Sequence, residues 1–114
     1  MNKKDNRPWG WYEILLTLPE MQIKRIHVEL GKRLSLQSHE KRSEHWLITA
    51  GKAKVQVNDK TYELIDGHSI TILQGEKHRV EAIGNDDLEF IEIQQGTYFG
   101  EDDIVRYDDD YGRA

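Results

Sequence analysis

The chain has 114 residues, 16 basic against 21 acidic side chains, a formal charge of −5, five histidines and no cysteine. That length makes one domain, residues 1–114, and the acidic balance has the wrong sign for gripping nucleic acid or an anionic membrane. Without cysteine there is no disulfide framework, thiolate ligand or thiol nucleophile, so any metal site must use nitrogen and oxygen. No apolar run approaches the roughly 20 residues of a membrane helix, and "MNKKDNRPWG" is too polar to begin a secretory signal; a soluble, cytoplasmic protein is expected.

In chain order, the first clear period of two sets Ile23, His27 and Glu29 against Lys24, Ile26, Val28 and Leu30. "LSLQSH" reads as extended, with Gln37 and His39 on one face, and a turn at "EKRS" returns the chain so that Glu44 faces the same pair. "KAKVQVND" alternates Ala53, Val55 and Val57 with Lys54, Gln56 and Asn58. Short strands follow at "TYELI", "SITIL", "HRVEAI" and "LEFIEIQ", separated by turn chemistry at "VNDK", "DGHS", "QGEK" and "GNDD". This is the pattern of an all-β sandwich or barrel. Only "GEDDIVR" offers a helical turn or two, and Ile104, Val105, Tyr107 and Tyr111 among its acids predict that residues 97–107 dock on the sheet.

Gln37, His39 and Glu44, with His78 after a glycine turn, suit a borderline or hard divalent ion. Spacing alone favours an ordinary polar turn over a metal site. The glycines add a pattern: from Gly31 through Gln37, His39 and Glu44 to Gly51, then from Gly67 through Gly75 to His78. It resembles the two cupin motifs, with Leu73 where proline is common and Ala82 where asparagine is common. "RPWGWYE", "LSLQSHEKRSEHW", "GKAKVQV", "KHRVE" and "IEIQQGTYFGEDDIVRYDDDYGR" together resemble the cupin domain of type II mannose-6-phosphate isomerases over nearly the whole chain. The family's histidine-rich "MHHHR" is here "SHEKR". In that family the domain commonly follows a mannose-1-phosphate guanylyltransferase domain, whose glycine-rich nucleotide loop has no counterpart in this sequence.

The resemblance implies a double-stranded β-helix, or jelly-roll barrel, with one divalent ion held by Gln37, His39, Glu44 and His78. Zn²⁺ is the first choice, and Mn²⁺, Fe²⁺, Co²⁺ or Ni²⁺ also suit the donors. It further implies conversion of mannose 6-phosphate to fructose 6-phosphate by proton transfer through an enediol. The second reading is a cupin that binds a sugar, nucleotide sugar or small metabolite without turnover. Glu92 is the first candidate base, with Lys24 the second, provided Phe90, Glu92 and Gln94 face inward; the opposite register buries Ile91 and Ile93 instead. Arg79 and Gln94 are the candidate contacts to a sugar phosphate, whereas Arg25 and Arg42 read as solvated surface cations. His45 reads as outward-facing, and His27 and His68 as ordinary strand or turn residues without an evident partner. Exposed sheet edges suggest a homodimer.

Overall fold

A computed structural model describes residues 3–113. Its strands are β1 (Lys4–Arg7), β2 (Gly10–Leu18), β3 (Met21–Val28), β4 (Leu36–Ser38), β5 (Arg42–Ala50), β6 (Lys52–Val57), β7 (Lys60–Ile65), β8 (Ser69–Ile72), β9 (His78–Ile83), β10 (Leu88–Gly96) and β11 (Val105–Asp108). They form a six-stranded sheet in the order β1-β2-β3-β10-β5-β8 and a five-stranded sheet in the order β11-β4-β9-β6-β7. All pairings are antiparallel.

The expected barrel is not closed. β7 and β8 are consecutive in sequence but lie in different sheets, joined by a turn at Asp66 and Gly67. That turn is tied to β5 by Ile48 N–H to His68 O (2.9 Å) and Gly67 N–H to Ile48 O (2.8 Å), so the chain changes sheet there without a ladder linking the two edges.

The expected C-terminal helix is absent among the described residues. After Gly96 the chain makes a turn closed by Asp103 N–H to Gly100 O (3.1 Å), then enters β11, which pairs with β4. A helix would need the Asp103 carbonyl for its own i→i+4 bond. Here that carbonyl accepts from the His39 ring at 2.6 Å. The tail is nonetheless docked, though through polar contacts more than the expected apolar ones: Ser38 Oγ and Tyr107 Oη lie 2.9 Å apart and the Tyr111 hydroxyl donates to Arg33 O at 3.1 Å, while Val105 and Tyr107 stay exposed.

Two strands that carry no clean alternation, β1 and β2, were not anticipated. Their turn brings Gly10 (φ 152°) so close to the His27 backbone that any Cβ would collide with it, a place that only glycine fills. The interior between the sheets holds Trp9, Tyr12, Ile26, Val28, Trp46, Ile48, Ala53, Val55, Val80 and Phe90, all buried. Full burial of a side chain the size of Phe90 or Ile48 contributes about 1.5–3 kcal/mol.

Candidate metal centre

β5 turns Arg42, Glu44, Trp46 and Ile48 inward at alternate positions, and β10 does the same with Leu88, Phe90, Glu92 and Gln94. The two strands pair so that Glu44 lies opposite Gln94 and Trp46 opposite Glu92. From the other sheet, β9 starts with His78, opposite Gln37 on β4, and His39 follows β4 directly.

His39, Glu44 and His78 are buried and offer donor atoms that all lie within 4.8 Å of one another. The His39 Nδ1–H donates to Asp103 O (2.6 Å) and the His78 Nδ1–H to Glu76 O (3.0 Å). Carbonyl acceptors at Nδ1 place the ring proton there and leave both Nε2 lone pairs facing Glu44. Nε2 of His39 is 3.4 Å from Glu44 Oε2, and Nε2 of His78 is 3.8 Å from Glu44 Oε1. Two donors at ~2.1 Å from a common ion and at the tetrahedral angle are about 3.4 Å apart, so this set fits a divalent cation. Burial, reinforced by the Arg42 charge, pushes the His39 imidazole down to about 4, and burial lowers His78 as well. Both rings are neutral at pH 7, as ligands must be.

Arg42 is a correction to the sequence reading. It is 4 % exposed rather than solvated, and donates from Nε to Glu44 Oε2 (2.9 Å) and from Nη2 to His39 Nε2 (3.2 Å). Its Nη1 is buried without a partner. Its position two residues before Glu44 on the same strand was the signal that alternation offered. Arg25 does lie at the surface, paired with Glu89 and Glu13. His27 has partners after all, Glu89 at 2.8 Å and Asp87 at 3.0 Å, and it stacks on Trp11. His45 is exposed, bonded to Thr71.

Glu92 faces the interior, with Oε1 accepting from Trp46 Nε1 (3.1 Å) and Oε2 from Gln94 Nε2 (2.7 Å). Trp46 Nε1 also reaches Glu44 Oε1 at 3.0 Å, so one indole N–H bridges both carboxylates. Burial, with the Glu44 charge next, pushes the Glu92 carboxyl up to about 8. Lys24 is buried opposite Glu92 on β3 and donates to Glu101 Oε1 at 2.8 Å. Burial alone would raise the Glu101 carboxyl, but the ammonium of Lys24 holds it below the usual range.

These groups border a pocket of about 650 Å³, open mouth included, into which Gln37, Arg7, Ile104, Arg106 and Arg113 also project. Arg79 and Gln94 do not line it. The Arg79 guanidinium is occupied by Leu34 O (2.9 Å) and by Asp108, through Oδ2 (3.0 Å) and the carbonyl (3.3 Å), because strand alternation turns it away from its neighbour His78.

Residues 1–109 match the family model described as "Mannose-6-phosphate isomerase C-terminal". The chain belongs to that family. It is 45% identical over 113 residues to the xanthan biosynthesis protein XanB of Xanthomonas campestris pv. campestris (strain B100), covering 99% of this chain and 24% of that protein. It is 44% identical over 108 residues to a mannose-1-phosphate guanylyltransferase of Klebsiella pneumoniae, covering 95% of this chain and 23% of the relative. The chain therefore spans about a quarter of these curated relatives. Among solved structures, a Klebsiella pneumoniae protein with a double-stranded β-helix domain superposes with a TM-score of 0.74 at 14% identity, over 83% of this chain and 76% of the other. That likeness places the fold among those with a double-stranded β-helix.

The expected mannose-6-phosphate isomerase activity is corrected by these names, as is the alternative of binding without turnover. The relatives are named for guanylyl transfer to mannose 1-phosphate and for xanthan biosynthesis, not for isomerisation. The physical reason is that a His/Glu cluster between two sheets is compatible with many reactions, so the ligand set does not select one. As to the membrane, no helix among the described residues is long and apolar enough to cross one.

Proposed function

We propose that this chain is a metal-dependent cupin module of mannose-phosphate metabolism, receiving a phosphorylated sugar in the pocket beside His39, Glu44 and His78. The observation that carries the reading is the pair of Nε2 lone pairs aimed at Glu44, each fixed by a carbonyl at its own Nδ1. Gln37, bordering the pocket across from His78, is the fourth protein ligand. Zn²⁺ suits two imidazoles and a carboxylate best, and Mn²⁺, Fe²⁺, Co²⁺ and Ni²⁺ are the competitors. When bound, the ion supplies Lewis-acid polarisation of a ligand oxygen.

The chain's own groups do the rest. Glu92 keeps its proton near neutrality and is the group that gives or takes one, held in place by Trp46 and Gln94. Lys24, ion-paired with Glu101 at 2.8 Å, is the second catalytic candidate. The guanidinium groups of Arg42 and Arg106 each keep a buried nitrogen without a partner on the pocket's wall, and they serve the phosphate. Arg79 supports them indirectly by anchoring the tail at Asp108.

Calorimetry with Zn²⁺, Mn²⁺ and Co²⁺ tests the first half of this reading. One equivalent should bind to the wild-type chain and none to His39→Ala. Mannose 1-phosphate should then bind more tightly to the metal-loaded than to the metal-free chain, with phosphorus and proton NMR in D2O following any conversion or solvent exchange. Absence of metal binding by the wild-type chain sinks the proposal.

A further inference from the structure

The loop between β4 and β5 and the segment between β10 and β11 meet at Asp103. Its carboxylate oxygens accept the backbone N–H groups of Glu40 (3.2 Å) and Lys41 (3.0 Å), the two peptide units that follow His39. Its carbonyl accepts the His39 Nδ1–H (2.6 Å). A third link, Thr97 N–H to Lys41 O at 3.1 Å, ties the same two segments, and Asp103 itself is held by its N–H to Gly100 O. On the far side of the loop His39 O accepts Gly75 N–H at 2.8 Å. The N–H groups of the two residues that follow His39 and the hydrogen on its ring are thus held by one residue 64 positions away from it in the chain.

We propose that Asp103 is a positioning residue for the cation site: its side chain grips the Glu40 and Lys41 amides, which holds its carbonyl on His39 Nδ1 and presents His39 Nε2, unprotonated, to the ion. The proposal rests on the metal reading above. Without an acceptor at Nδ1, only the Arg42 Nη2 contact at Nε2 (3.2 Å) is left to hold the His39 ring and its tautomer, and the lone pair is held less firmly toward Glu44. The consequence is that the cation site is completed only when the C-terminal segment is docked. None of the sequence motifs that supply the ligands contains the residue that orients one of them.

The test compares the full chain with Asp103→Ala, Asp103→Asn and Asp110→Ala by calorimetry with Zn²⁺ and Co²⁺. The Nδ1–H resonance of His39 is followed in the metal-free proteins. Removal of such a partner of a ligating histidine lowers metal affinity roughly 10- to 100-fold. Asp103→Ala should show that loss together with faster solvent exchange of the His39 Nδ1–H. Asp103→Asn, which keeps one acceptor oxygen for the loop, should recover part of both. Asp110→Ala removes only the tail's surface pairing with Arg33 and should bind metal like the wild type. Wild-type affinity in Asp103→Ala, in a chain that binds metal otherwise, overturns the positioning role alone; a wild-type chain that binds no metal overturns the metal reading and this proposal with it. If Asp103→Ala does not fold, Asp103→Asn decides: an affinity and exchange rate equal to the wild type reject the role.

Discussion

The space between the two sheets has two ends built by the same strands. On β3 the inward residues run Gln22, Lys24, Ile26, Val28; on β5, Arg42, Glu44, Trp46, Ile48; on β9, His78, Val80, Ala82; and on β10, Leu88, Phe90, Glu92, Gln94. Each strand changes from polar to apolar about half-way along. Trp46 sits at the boundary, its ring 4.9 Å from Phe90 between centroids and its N–H shared by Glu44 and Glu92. The apolar end is held by burial, which is indifferent to direction. The polar end is equally buried and stands because most of its polar atoms are paired, with Arg42 Nη1 and Gln94 Oε1 as exceptions, since an unpaired buried polar group costs about 1–3 kcal/mol. Alternation therefore decides which face a residue takes, and position along the strand decides what chemistry it meets.

Substitutions at the two ends should separate stability from function. Phe90→Ala removes a fully buried ring from the apolar end and should cost about 3–5 kcal/mol in urea unfolding while leaving any metal bound by the folded fraction. His78→Ala, at the polar end, should abolish metal binding in calorimetry yet lower the metal-free stability by only about 1–2 kcal/mol. An equal loss of stability from both substitutions would erase the distinction.

The pH dependence of the metal-free chain sharpens it further. Glu92 moves from 4.5 to about 8, so the folded state keeps a proton that the unfolded state releases; its contribution is full below pH 4.5 and is lost as pH rises to 8. His39 moves from 6.5 to about 4, so its contribution is full above pH 6.5 and is lost as pH falls through 4. The two oppose each other between pH 4.5 and 6.5, and only Glu92 acts from 6.5 to 8. The melting temperature should fall over that upper window, and Glu92→Gln should flatten it. The smallest effect is expected at the polar end's rim, where Ser38→Ala gives up the contact to Tyr107 and should cost about 0.5–1.5 kcal/mol by chemical denaturation.

The sequence made the central strands readable because each has one wet or half-wet face. Alternation from Phe90 to Gln94 left two registers open, and the side that buries Glu92 is the one adopted, with Ile91 and Ile93 only half-buried. His39, Glu44 and His78 were legible as a set through their spacing from glycines. Arg42 was not, because its residue type argued for the surface although its parity matched Glu44. The pairing of Lys24 with Glu101 spans 77 positions and leaves no local trace. "GEDDIVR" looked helical because acids followed by aliphatics suit a helix start; the competing partners, β4 and His39, lie far away in sequence. β2 escaped notice because a register shift between Ile14 and Leu16 breaks its alternation.

That same irregularity leaves Ile14, Leu15, Leu16, Thr17 and Leu18 exposed in succession. β1 covers the edge of β2 only as far as Glu13, so among the described residues this uncharged run has no neighbour on one side. Such a run is a template for stacking with its own copies when chains are crowded, above all while they are still folding. The exposed charge of Glu20 after the run limits how far such stacking can spread. A lysine at Leu16 should therefore raise the protein concentration at which refolding turns turbid.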